Sequence, residues 1–211
     1  MKLSKYIDHT LLKADATHEQ LQKLCEEAKE YDFKSVCINP CNIPYCKNLL
    51  RGSDVLVCTV IGFPLGAMSI ESKCYEAYDA IERGADEVDM VLNIGRLKEK
   101  DRDYVTEEIR RVKQTVKDHN LKVIIETCLL TDEEKVLACE CILDAGADFV
   151  KTSTGFSTGG ATFDDVRLLK DTVGDRCFIK AAGGVRTKED FRKMIELGAN
   201  RIGTSSGTKL V

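Results

Sequence analysis

The 211-residue sequence has little that would tie it to a membrane, a metal or an oxidising compartment. Its start, Met1-Lys2-Leu3-Ser4-Lys5-Tyr6, carries no apolar segment of the kind a secretory signal needs. A run of about 18 apolar residues is absent throughout, so no spanning helix is expected. The ten cysteines include no C-x-x-C pair. Their nearest groupings, Cys37/Cys41/Cys46 and Cys139/Cys141, fit neither a zinc site nor a disulfide framework. Cys37, Cys58, Cys128 and Cys177 fall in apolar strand-like runs, where a free thiol packs as a small hydrophobe. Reduced core thiols in a cytoplasmic protein are expected. Three scattered histidines make no metal cluster, so metal-free chemistry without a cofactor is expected; only His9, near a strand end, is placed to face a pocket. With 31 basic against 35 acidic residues, the net charge of −4 is wrong for coating nucleic acid. An anionic ligand would need a local positive pocket.

What is present is an alternation of β-branched runs with helical stretches, the mark of an α/β protein with a parallel sheet. Strands are expected at Tyr6–Leu11, Ser35–Ile38, Leu56–Ile61, Glu87–Leu92, Val123–Thr127, Phe149–Thr152, Phe178–Ala182 and Arg201–Ser205. Eight strands suffice for a closed (β/α)8 TIM barrel. Between them, Ile70, Cys74, Ala77, Tyr78 and Ile81 share one helical face. Val105, Ile109, Val112 and Val116 share another, leaving Glu107, Glu108, Arg110 and Arg111 for solvent. No linker or shift of composition divides the chain, so residues 1–211 read as one domain. An open doubly wound sheet is the rival, but no G-x-G-x-x-G turn follows the first strand.

Three segments repeat: Arg83-Gly84-Ala85-Asp86, Ala145-Gly146-Ala147-Asp148 and Leu197-Gly198-Ala199-Asn200. Each ends a helical pattern with the glycine that turns the chain back toward a strand. Five residues beyond each glycine stand Asp89, Lys151 and Gly203. A repeated scaffold that delivers different residues at its strand ends is how barrel enzymes build a site.

Lys151 and Lys180 each interrupt a short apolar strand, immediately before Thr152-Ser153-Thr154-Gly155 and Ala181-Ala182-Gly183-Gly184. A lone strand lysine usually snorkels to the surface. Two on consecutive strands point to chemistry. An amine attacks a carbonyl only as the free base, and a normal lysine titrates near ~10.4. Burial and a neighbouring cation both favour the free base, so a lysine pair suits Schiff-base formation. Strand periodicity does not say which of the two is the nucleophile. Asp89, in Val88-Asp89-Met90-Val91, reads as a structural counter-ion, a proton shuttle or both. Gly183-Gly184-Val185-Arg186 and Gly203-Thr204-Ser205-Ser206-Gly207 follow the last two strands, where many barrels hold a phosphate.

Val150–Phe156 and Ile179–Arg186 together resemble the signature segments of the deoxyribose-phosphate aldolase family. Glu87–Gly95, Gly203–Gly207, Ile7–Leu11 and Val36–Pro40 extend that resemblance over the whole chain. It implies a class I aldolase on a (β/α)8 barrel, acting in deoxyribonucleotide catabolism. Such an enzyme reversibly cleaves 2-deoxy-D-ribose 5-phosphate to acetaldehyde and D-glyceraldehyde 3-phosphate. It further implies Lys151 as the imine-forming residue, Lys180 as the lysine that perturbs it and Asp89 as acid–base partner. Gly183, Gly184, Arg186, Gly203, Ser205 and Ser206 would line the phosphate end, and Asp8, Thr10, Cys37 and Thr154 the sugar chain. The partner is then a small phosphosugar, with a homodimer admitted as the assembly. Two departures stand out. Phe156 occupies a place where some relatives carry Lys, and the chain reads Lys209-Leu210-Val211 where some end in a tail with a terminal Tyr. The resemblance therefore names no proton donor to the enamine carbon. Rival readings are a transaldolase-like Schiff-base lyase, separable by product analysis, and a sugar-phosphate sensor, which would need neither lysine.

Overall fold

The computed structural model describes residues 2–211. Eight strands form it: β1 (Ile7–Leu11), β2 (Ser35–Ile38), β3 (Leu56–Ile61), β4 (Glu87–Val91), β5 (Asn120–Ile124), β6 (Phe149–Lys151), β7 (Phe178–Ala182) and β8 (Arg201–Thr204). Each pairs in parallel with the next, and β8 returns to β1 with Ile202 opposite Ile7, closing a barrel. Around it run α1 (His18–Glu30), α2 (Ile43–Leu49), α3 (Ile70–Glu82), α4 (Ile94–Lys98), α5 (Arg102–Val116), α6 (Asp132–Ala145), α7 (Phe163–Val173), α8 (Lys188–Glu196) and α9 (Gly207–Leu210). No described helix is long and apolar enough to cross a membrane.

Local chemistry explains the helix ends. Thr17 and Thr131 open α1 and α6 as capping boxes with Gln20 and Glu134, and Asp101 caps α5 through Tyr104 N–H. The repeated glycines do the same job three times. Gly84, Gly146 and Gly198 take positive φ, and the following alanine N–H reaches back to a carbonyl five residues earlier. The next residue ties the turn to the preceding strand. Asp86 exchanges hydrogen bonds with Val57, Asp148 with Leu121 and Asn200 with Ile179, each through a side-chain oxygen and its own N–H. The repeat thus fixes how each new strand meets its neighbour.

Strand alternation separates two interiors. Outward residues such as Val57, Val88, Met90, Val123, Ile179 and Ile202 join the helices in one large apolar core. Inward residues include the charged groups of the barrel interior, a small apolar cluster of Leu12, Cys37, Cys58 and Val60, and the apolar Val91, Ile124 and Phe149.

Five expectations need correction. The fifth strand runs over Asn120–Ile124, three residues earlier than Val123–Thr127. Asn120 and Lys122 look like loop residues, yet both meet Glu87 inside the barrel. On α3 the buried face is Ile70, Lys73, Ala77 and Ala80, while Tyr78 is exposed; on α5 Glu108 is buried rather than solvated. Those two errors share one cause: Lys73 Nζ donates to Glu108 Oε1 at 2.6 Å, a pair with no side-chain exposure. His9 faces the helices, bound to Glu27 at 2.7 Å and tilted against Phe33. Cys128 is exposed in the turn after β5, whereas Cys37, Cys58 and Cys177 are buried as expected.

Candidate active site

Asp89 points inward from the middle of β4 and is the hub of the barrel interior. Its Oδ2 accepts from Lys151 Nζ at 2.8 Å and from Lys180 Nζ at 2.7 Å. Its Oδ1 accepts from Lys122 Nζ at 3.0 Å and from the Cys58 thiol at 3.1 Å. Lys151 and Lys180 lie opposite each other in the β6–β7 register, so one carboxylate oxygen bridges both. The network continues downward. Lys180 reaches Asp8 Oδ2 at 2.6 Å, Lys122 reaches Glu87 at 2.8 Å, and Arg201 joins Asp8 to Glu87. Three carboxylates therefore face four basic side chains, all at least nine-tenths buried.

Burial alone would discharge these groups. Here it opposes the charge of Lys180, but the Asp8 and Asp89 carboxylates outweigh it and hold the ammonium well above its ordinary range. Lys122 is raised for the same reason by Asp89 and Glu87, although Lys180 opposes it. Burial likewise opposes the Asp89 carboxylate, and Lys122, Lys151 and Lys180 overcome it, so Asp89 sits well below the usual carboxylate range. The adjacent thiols split. The neighbouring Cys58 thiol draws Cys37 down to about 7 against burial, while burial and that same neighbour push Cys58 well up. Sulfurs of Cys37 and Cys58 and an Asp89 oxygen lie within 4.8 Å of one another, which is ligand spacing for a soft metal. Both Asp89 oxygens are already engaged by lysines.

Above the network, at the C-terminal strand ends, opens a cavity of about 520 Å³. Of the three lysines in the network, Lys151 lines it. Thr10 and Thr154 line it too, as do Gly183, Gly184, Arg186, Gly203, Ser205 and Ser206. Asp8 and Cys37 lie beneath: Asp8 is bound to Ser35 at 2.7 Å and to Arg201, while Cys37 packs with Leu12 and Val60. Phe156, half exposed, stands edge-on to Phe63 at 5.2 Å and gives one wall an apolar lip.

Backbone shape makes the opposite wall. Gly183 and Gly184 both take positive φ, which only glycine does cheaply. The β6–α7 loop crosses directly over them. A Cβ on Gly160 would stand 2.5 Å from the Gly183 carbonyl carbon, and Ala161 N–H donates to Ala182 and Gly183 carbonyls. Gly203 leaves room for Lys180, whose Cε would be 3.1 Å from an added Cβ. Exposed Arg186 adds a cation here, and exposed Lys13 lines the same cavity.

Glu87, Lys122 and Arg201 belong to the interior network and were not singled out from the sequence. Lys122 between Leu121 and Val123 carries the same signal as Lys151 and Lys180, a charge within an apolar strand.

The sequence matches the DeoC/LacD family aldolase profile over residues 2–209. The chain belongs to this aldolase family. It is 63% identical over 211 residues to a protein of Finegoldia magna named deoxyribose-phosphate aldolase, covering 100% of this chain and 99% of that one. A protein of the same name from Thermoanaerobacter pseudethanolicus is 60% identical over 100% of this aldolase and 96% of its own length. Among solved structures, the tetrameric deoxyribose phosphate aldolase of Aeropyrum pernix superposes with a TM-score of 0.89 at 34% identity, covering 99% of this aldolase and 88% of that chain.

Proposed function

We propose that this aldolase reversibly cleaves 2-deoxy-D-ribose 5-phosphate to acetaldehyde and D-glyceraldehyde 3-phosphate through an imine on Lys151. The observation that carries the reading is the division of labour among the buried lysines. Lys180 is held by two carboxylates beneath the cavity, whereas Lys151 touches Asp89 and lines the cavity. The names of the close relatives support the substrate.

Lys151, as the free amine, attacks the C1 aldehyde of the open-chain sugar. Asp89 and Lys180, joined through one oxygen, carry protons to the carbinolamine oxygen so that water leaves. The resulting iminium draws in the electrons of the C2–C3 bond, since acetaldehyde keeps only C1 and C2. Glyceraldehyde 3-phosphate departs, and the enamine is protonated at C2 and hydrolysed. Gly183, Gly184 and Ser205 offer backbone N–H groups to the phosphate and Ser205 and Ser206 their hydroxyls, with Arg186 at the rim. A cytoplasmic setting and a homodimer complete the proposal, the latter read by gel filtration.

Borohydride reduction with acetaldehyde, followed by mass spectrometry, tests the nucleophile. A stable ethyl group on Lys151 is expected, and none in Lys151→Leu. Trapping in Lys151→Leu but not in Lys180→Leu would exchange the two roles. Normal trapping in both variants would reject the imine at this pair.

A further inference from the structure

Glu126 sits one residue past Ile125 at the cavity end of β5, is 2% exposed, and takes left-handed φ of 56°. A long side chain seldom takes that region, and the strain is tolerated where the surroundings require it. What it achieves is a two-point grip. Its Oε1 accepts Thr154 N–H at 3.1 Å, and its Oε2 accepts the Thr154 hydroxyl. That hydroxyl oxygen also accepts Phe156 N–H at 3.0 Å. A threonine hydroxyl has one proton and two lone pairs. In Thr154 the proton is committed to Glu126 and one lone pair to Phe156, so one lone pair is left for the cavity that Thr154 lines with Lys151. A substrate atom meeting it must be a donor: a hydroxyl, not a carbonyl or a phosphate oxygen.

The cleavage proposed above requires such a hydroxyl to lose its proton. We propose that Thr154 and Glu126 form the relay that accepts the C3 hydroxyl proton, an inference that rests on that cleavage reading. The C3 O–H proton passes to Thr154 Oγ1 as the Oγ1 proton passes to Glu126 Oε2. The O–H bonding pair becomes the new C3 carbonyl π bond. The C2–C3 pair becomes the enamine double bond, and the iminium nitrogen takes up its π pair. No oxidant or reductant enters. The proton on Glu126 returns through the same hydroxyl to water once the aldehyde leaves, and in synthesis the path runs backwards. Asp89 is the poorer base for this step, because both of its oxygens are engaged by lysines.

Two readouts separate the relay from a structural grip. One is cleavage of 2-deoxyribose 5-phosphate. The other is exchange of acetaldehyde methyl protons in D2O by NMR, which passes through the Lys151 enamine and involves no C3 hydroxyl. Glu126→Gln keeps the size but takes no proton, Thr154→Val removes the hydroxyl, and Thr154→Ser restores it. General acid–base groups typically supply ~10²–10⁴-fold, so cleavage kcat should fall ~100-fold or more in Glu126→Gln and Thr154→Val, exchange by less than about threefold, and Thr154→Ser should return to within roughly tenfold. Equal losses in both readouts would overturn the relay and leave a grip that shapes the Lys151 site. Undiminished cleavage would overturn it as well. Should Glu126→Gln fail to fold, the Thr154 pair decides by the same criteria. Exchange by the wild type without cleavage of the sugar would instead overturn the substrate reading, and the C3 relay with it.

Discussion

Lys180, inside the barrel, and Lys73, between α3 and α5, are both fully buried, yet their surroundings act on them in opposite directions. Lys180 touches two carboxylates, Asp8 and Asp89, and is driven well above its ordinary range. Lys73 is in direct contact with Glu108 alone and feels Glu76 from farther off; burial outweighs both and draws it down. The acids mirror this. Burial is opposed and overcome at Asp89 by three lysines, whereas at Glu108 burial wins over Lys73 and the carboxyl is raised. Depth is the same in both places. What differs is the number of opposite charges in direct contact, because one ion pair seldom repays the desolvation of two ions. A network therefore keeps its members charged, and the proposed chemistry needs standing charge beside the substrate lysine.

The sharpest test of this contrast removes the central cation. Lys180→Met leaves Asp8 and Asp89 one partner short, and breaking a buried pair costs about 3–5 kcal/mol. Urea unfolding should show that loss, and turnover should fall below detection even where the fold survives. In the isolated pair, Lys73→Met alone should cost less, about 2 kcal/mol, because Glu108 is raised and so gives up its charge more readily than Asp8 or Asp89. Lys73→Met with Glu108→Gln should recover most of that loss, as apolar or neutral replacements of buried pairs often do. A double variant as unstable as Lys73→Met would show that the ionic contact itself matters.

Acid should separate the two regions next. Asp8, Glu87 and Asp89 have folded values below their unfolded ones. Their contribution is full above about pH 5 and is lost as pH falls through the folded values. Glu108 runs the other way, since its raised value means that the folded state holds the proton more tightly. Urea midpoints measured at pH 7, 5 and 3.5 should drop steeply over the last interval, and at least as steeply in Glu108→Gln. The smallest effect belongs to neither region. Phe178 is 54% exposed at the opposite end of the barrel, and Phe178→Thr should change stability by no more than about 0.5 kcal/mol and leave activity intact.

Much of the site was legible where a charge broke an apolar strand. Asp89, Lys151 and Lys180 carried that signal, and the repeat placed Asp89 and Lys151 at the same offset from a helix-ending glycine. Lys122 carried the signal too, but Asn120 beside it suggested a loop, so the strand was read three residues late. Glu126 carried the signal as well, as the one charge within the expected strand Val123–Thr127, but its importance lies in a contact with a residue 28 positions away.

By itself the sequence determined the eight-fold alternation, the turns that join each helix to its strand, and the three groups around Asp89, because period, capping and glycine chemistry are local. Only the tertiary structure decided which lysine meets the cavity, that Asp8 and Cys37 lie beneath it, and that Lys73 and Glu108 are buried together. Those outcomes depend on which side chain faces which across the closed barrel or between helices. A polar residue looks exposed until the partner that allows its burial is in view.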